Sequence, residues 1–365
     1  MAPRVASLVL VALLIDCDRN SPPPLPAHAD APAVVSTTAG SAPAPVPTEA
    51  ASVDASAPCG EKAPATALAV SGEEAFVGTE GGAVVAIHRV TGRRRRVACG
   101  YEDGVGAIAA VPGGLLVSDA RGGLWLQPPD GSPRHPLPGG DGSDGFAVAG
   151  PDVVIAVHDG DAGRDHGSIR AVPLAGGAVR TLASVQPQGY QRVVVGADSA
   201  EVFVAQRYRN DAAPAGVEGV ELLRVPLGGG PPRSLIATDS AVTRVVAEAG
   251  WYVWYDSGYR SSEWGGGNAP CELLGRREPD RGARTLESFG GQHGDECTSK
   301  VWFVLDGAAV VWRSDQRAGV FRRALPGGRT QQLGNPSPEA FGLVRDGDAV
   351  LWVEGDGGLG RAGLR

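Results

Sequence analysis

Three short texts place a cation just before a β-rich run: Gln191-Arg192-Val193, Thr243-Arg244-Val245 and Ser299-Lys300-Val301. Cations gathered on one rim focus field on an anion, and a guanidinium grips a carboxylate or phosphate through two parallel hydrogen bonds. The same three side chains, paired with carboxylates of neighbouring units, would instead hold the units together. Residues 158–166 read HDGDAGRDH, where Asp159, Asp161 and His166 form the best set of metal ligands in the chain. A calcium loop of the EF-hand type needs a further oxygen ligand at 163 and Glu at 170; Gly163 and Arg170 stand there, so no resident metal or other cofactor is expected. Gly-x-Ser-x-Gly, the phosphate-cradling Gly-rich loop and H-E-x-x-H are all missing. Nothing in the sequence therefore marks a catalytic residue. Arg207, Tyr208, Tyr259, Arg260 and Trp264 lie in long polar stretches between apolar runs, and Arg, Tyr and Trp are the side chains that anchor interfaces.

The elements that would position these groups are short strands. Residues 300–333 contain four runs, Val301–Leu305, Ala308–Arg313, Gly319–Ala324 and Arg329–Leu333, separated by turns carrying Gly or Asp. Such a unit reads as a four-stranded antiparallel meander. Its second run recurs, centred on Phe76, Leu116, Ile155, Phe203, Val253, Val310 and Leu351, at a mean spacing of about 46 residues. Gly-Gly recurs in the third-to-fourth connections, where a tight hairpin needs positive φ. A lone four-stranded sheet with two apolar faces cannot bury both, and closing such sheets into a ring solves this. The expected fold is all-β, a β-propeller over 64–365 with seven four-stranded blades, six and eight being the neighbouring solutions. The last unit has only three runs, so its outer strand is expected from Val53–Lys62.

Trp254-Tyr255-Asp256, Trp312 to Asp315 and Trp352 to Asp356 resemble the YWTD signature, and the chain over 64–365 is similar to bacterial exported propellers with TolB-like or YWTD-like repeats. The resemblance implies the fold and an extracytoplasmic setting, and it brings no catalytic residue with it. On this ring the longest second-to-third loops, His158–Ser168, Gln206–Gly219 and Tyr255–Cys271, belong to adjacent blades three to five and share one face. Clustered insertions of that kind build binding surfaces, although the aromatics could equally pack their own loops.

Residues 1–17, MAPRVASLVLVALLIDC, join one Arg to an apolar run too short to span a bilayer, which reads as a signal peptide. Leu14-Ile15-Asp16-Cys17 resembles the lipobox of bacterial lipoproteins, with Asp16 where that pattern has Gly, Ala or Ser, and implies lipidation at Cys17. Cleavage after Ala27-His28-Ala29 is the alternative, giving a secreted soluble protein. Residues 18–63 are Pro- and Ala-rich with few large apolar side chains, as expected of a disordered tether. Of the five cysteines, Cys17 would carry lipid, leaving Cys59, Cys99, Cys271 and Cys297 with three pairings open. Ring topology puts Cys59 with Cys99 and Cys271 with Cys297, in an oxidising compartment. The net charge of −8 excludes nucleic-acid binding by bulk electrostatics.

The expected protein is thus a monomeric, non-enzymatic scaffold. It is lipid-anchored on the extracytoplasmic side of the cell envelope and binds a protein or glycan. An exported lyase or hydrolase acting on a sugar or lactone, and a purely structural envelope protein, are the competing readings. Mass spectrometry of the mature N-terminus separates the two addresses: a diacylglyceryl adduct on Cys17 is expected, and an unmodified start at Asp30 would refute the anchor.

Overall fold

The computed structural model describes residues 60–365, except 139, 141–142, 160–165, 186–191, 211–216, 239–241, 257–270, 281, 290–299 and 316. Within the strands, the side chains of 143–144, 158–159, 166–167, 184–185, 192–193, 195, 207–210, 217–219 and 243 also lie outside that description. The described residues form strands and turns without a helix. The first blade holds β1 (Gly60–Ser71), β2 (Glu74–Gly81), β3 (Val84–His88) and β4 (Arg94–Ala98); the second holds β5 (Val105–Val111), β6 (Gly114–Asp119), β7 (Leu124–Gln127) and β8 (His135–Pro136). Blade three comprises β9 (Ser143–Ala149), β10 (Asp152–Asp159), β11 (His166–Pro173) and β12 (Arg180–Val185), and blade four β13 (Arg192–Ala197), β14 (Glu201–Asn210), β15 (Val217–Pro226) and β16 (Arg233–Thr238). Blade five follows as β17 (Val242–Glu248), β18 (Trp251–Asp256), β19 (Cys271–Arg277) and β20 (Arg284–Phe289). Blade six is β21 (Val301–Asp306), β22 (Ala309–Ser314), β23 (Val320–Ala324) and β24 (Thr330–Gly334), and blade seven β25 (Phe341–Asp346), β26 (Ala349–Val353) and β27 (Leu359–Gly363). All pairings are antiparallel between sequential strands, and β1 packs beside both β5 and β25, closing a seven-bladed β-propeller.

The period-2 alternation of each strand divides its side chains between two neighbouring blades. On blade six, Phe303, Leu305, Val310 and Trp312 enter the core shared with blade five, while Val304 and Val311 enter the core shared with blade seven. The pattern repeats around the ring. One apolar cluster fills each junction, the last joining Val77 and Ile87 of blade one to Val353 of blade seven. The seven second-run centres named from sequence are all buried, the most exposed being Phe76 at 2%. Burying each such side chain contributes roughly 1.5–3 kcal/mol.

Two expectations change. Strand β1 begins at Gly60 and pairs with Gly81, so Gly60–Lys62 belong to the first strand of blade one and not to an outer strand of blade seven. Blade seven has three strands among the described residues, and 53–59 lie outside them. The Gly-Gly hairpins behave differently: Gly176, Gly177, Gly229 and Gly230 have positive φ, but Gly327 and Gly328 do not. A Cβ on Gly328 would stand 2.9 Å from the Ala324 Cβ, so close approach explains that glycine. Cys99 and Cys271 are buried and disulfide-bonded; Cys17, Cys59 and Cys297 lie outside the described residues, so the two pairings stand as proposals.

Close packing of innermost strands also constrains sequence. A Cβ on Gly196 of β13 would lie 2.2 Å from the Val245 carbonyl oxygen of β17. Gly196→Ala should destabilise by about 1–3 kcal/mol through forced separation of blades four and five. Gly228→Ala, with nothing within 4 Å, is the control. Urea unfolding of both variants checks this, and equal midpoints would refute the close approach.

Candidate functional site

The innermost strands begin at one mouth of the ring, where the predicted cations stand at three different depths. Arg192 opens β13 and pairs with Gln206, three residues beyond Phe203 at the middle of its neighbour. Arg244 pairs with Tyr255, two beyond Val253. Lys300 precedes β21, and its carbonyl accepts the Asp315 amide at 3.2 Å, five beyond Val310. Register shifts at Val194/Gly196 and Val242/Arg244 produce these offsets, so the three do not form a level rim. The Lys300 side chain is exposed, that of Arg244 is half-buried, and that of Arg192 lies outside the description.

Strands reach into both ends of the long loops of blades three and four. β10 runs to Asp159 and β11 starts at His166, these two being cross-strand partners; Asp161 falls outside the described residues. In blade four the ladder continues through Arg207↔Val220 and Tyr208↔Gly219 to Asn210↔Val217. Among the described residues, β13 pairs with this ladder as far as Gln206 and β16 as far as Val220, and the segments that adjoin them there, 186–191 and 239–241, lie outside the description. The polar text around Arg207 and Tyr208 looked like a loop, but Val217 and Val220 opposite supply β-forming partners. Tyr259, Arg260 and Trp264 lie outside the described residues. No group of three or more His, Cys, Asp or Glu side chains among the described residues is arranged to hold a metal ion.

Sequence reading missed the acids that end the second strands. Asp119 Oδ1 accepts the Arg121 and Gly123 amides at 3.0 and 2.8 Å, and Oδ2 accepts Trp125 Nε1 at 3.0 Å. Glu354 accepts Trp352 Nε1 at 2.6 Å and the Ser337 amide at 2.8 Å. The acid recurring after each second run was the available signal, and here it staples hairpins and blade links.

Arginines occur in three electrostatic settings. At the opposite mouth, where β17, β21 and β25 end, Arg345 of blade seven donates from Nη1 to Glu248 of blade five at 3.0 Å, and its Nη2 lies 3.1 Å from Asp306 of blade six. Arg89 pairs with Asp346 there. Burial alone would lower the pKa of Arg224, but hydrogen bonds to Glu201 and Glu278 overcome it and the net shift is upward. A second setting stacks the guanidinium on aromatic faces. Arg134 lies 4.3 Å from the Tyr101 ring centroid and 4.7 Å from that of Trp125, donating to the Cys99 and Gly100 carbonyls. Arg313, 2% exposed over Trp302, reaches only two carbonyls at 3.4 Å, and burial lowers its pKa. The third setting is that of Arg244. Its guanidinium carbon lies 5.5 Å from the Phe303 ring centroid across the junction of blades five and six, and burial is the cause of a lowered pKa.

This geometry defines a seven-bladed propeller whose blades are tied by ion pairs, and comparison with known proteins agrees at the level of fold. No family model matches the chain, and no curated protein matches it in sequence. Solved structures do. The computationally designed Ika8 protein is similar at 14% identity and a TM-score of 0.54, over 83% of this chain and 97% of that one. The virginiamycin B lyase of Staphylococcus aureus is similar at 13% identity and TM-score 0.55, over 84% and 97%. The Pan2 WD40 domain of Neurospora crassa follows at 10% identity and TM-score 0.55, over 83% and 89%. One is a designed protein, one an enzyme and one a WD40 domain, so the likeness extends to the fold alone.

Tyr101 offers a pH test of the stacked setting. Burial raises its pKa to about 12, against an opposing pull from Arg134. The folded state therefore holds the phenolic proton after the unfolded chain, at about 10, has lost it. Stability from this group is complete below pH 10 and falls by about 2–3 kcal/mol as pH rises to 12. Burial raises Tyr252 as well, so phenolate absorbance should show a late component, and Tyr101→Phe should remove one tyrosine's share of it. A wild-type titration with no late component would refute the burial argument.

Proposed function

We propose that this propeller is a binding scaffold that captures a protein partner at the mouth where its innermost strands begin. The observation that carries this reading is the long β14–β15 hairpin of blade four, whose ladder runs to Asn210↔Val217, past the last rungs it shares with described residues of β13 and β16. That ladder carries Arg207 and Tyr208, residue types that anchor interfaces. Arg260, Tyr259 and Trp264 of blade five are proposed to extend the surface, with Arg192, Arg244 and Lys300 meeting anionic groups of the partner. The sequence supports an extracytoplasmic address with an anchor at Cys17, and the proposed pairs Cys59–Cys99 and Cys271–Cys297 fit it. On this reading the ring performs no chemistry of its own.

The test compares full-length protein with a variant carrying Ala at 207, 208, 259, 260 and 264. Envelope proteins retained on each are quantified by mass spectrometry. A partner held by wild type should fall at least tenfold on the variant, as expected when anchors worth about 1–2 kcal/mol each are removed. A control variant with Ala at Arg95 and Arg180, outside the proposed surface, should keep it. Equal retention by both proteins, or equal loss from the control, would remove this mouth from the account.

A further inference from the structure

Arg244 departs from the way most of the ring's arginines are satisfied. Arg89, Arg95, Arg180, Arg224, Arg317 and Arg345 each reach a carboxylate. Arg244 has no hydrogen-bond acceptor or carboxylate among the described residues; its contact is the face of Phe303. Asp239 lies outside the described residues, and the described acids of β17 and β18 are engaged elsewhere. Asp256, paired with Val242 one bulge away, is 7% exposed and accepts Thr238 Oγ1 at 3.3 Å. Glu248 lies four residues further along β17, about 13 Å at the rise of a strand, and is held by Arg345. Burial lowers the arginine's pKa with no carboxylate opposing it, yet a guanidinium keeps its charge at neutral pH.

Leaving a close-packed cation without a counter-charge lowers stability, and an apolar side chain of similar volume would suit the position better for folding alone. Arg244 stands on an innermost strand and keeps part of its surface exposed. Phe303 backs it with a rigid ring that is 0% exposed and fixed in the core between blades five and six. We infer that Arg244, backed by Phe303, is the receptor for a single carboxylate entering the channel at the junction of blades five and six. One guanidinium matches one monoanion, and its planar fork fits a planar carboxylate in two parallel hydrogen bonds. The inference rests on the partner-binding reading in one respect: the carboxylate is then an acidic side chain of the captured protein. A free small carboxylate would use the same chemistry.

The experiment follows the thermal unfolding midpoint of full-length protein at pH 7 in sodium acetate and in sodium chloride of equal ionic strength. Wild type and Arg244→Met are compared. Acetate should raise the wild-type midpoint progressively, as a ligand of the folded state does, and leave Arg244→Met unmoved. In chloride, Arg244→Met should unfold at a higher temperature than wild type. A second arm replaces acetate with a capped Gly-Glu-Gly peptide. Half-maximal stabilisation at a tenfold lower concentration than acetate assigns the site to a protein side chain, and equal concentrations assign it to a free carboxylate. Acetate acting alike on both proteins, or on neither, overturns the inference. So does a lower midpoint for Arg244→Met in chloride, which would give the residue to the ring's own packing. Acetate binding that depends on Arg244, alongside full partner retention by the five-residue variant, would sink the capture reading and leave the carboxylate site standing.

Discussion

Every blade of this ring has two apolar faces, and neither faces water. That constraint governs the rest of the structure. A strand such as β22 sends Val310 and Trp312 one way and Val311 the other, so no blade owns a core of its own. The clusters sit at the junctions, each built half from one sheet and half from the next. Stability is therefore shared round the circle, and a change at one junction is felt by two blades. Gly196 shows how little slack remains, since its missing side chain is what lets β13 lie against β17.

Much of this was legible because it depends on short-range patterning. The runs read at 301–305, 308–313, 319–324 and 329–333 became β21 to β24 with ends shifted by a residue or so. Period-2 alternation and turn glycines carry that information locally. The depth of Arg192, Arg244 and Lys300 was not legible, because bulges in β13 and β17 change the rung at which a residue sits while leaving composition untouched. The blade-four hairpin was misread for a related reason. Its text from Gln206 to Asn210 is polar like that of a loop, and composition alone does not separate the two. The carboxylates that staple Asp119 and Glu354 into hairpins were overlooked because their work is done through backbone amides of adjoining turns.

Charge is distributed unevenly along the axis of the ring. Glu248, Asp306 and Asp346 end three innermost strands and are neutralised by Arg345, Arg322 and Arg89, which tie blades five, six and seven to one another and to the turn of blade one. The mouth where those strands end is thus laced by ion pairs that cross from blade to blade. Among the described residues, Arg244 near the other end of β17 makes no such ion pair.

The junction between blades seven and one has a consequence for how the molecule is made. Its apolar side chains come from Val77 and Ile87 near the beginning of the described chain and from Val353 near its end, with Phe341 and Leu359 packed against them. Until the final blade emerges, a nascent chain is an open arc with a raw greasy flank at each tip. Joining contacts that distant in sequence is slow, because the entropy of closing a long loop precedes any reward. The molecule must therefore be shielded through its own synthesis, and truncation by a single blade leaves a surface suited to self-association in place of a circle.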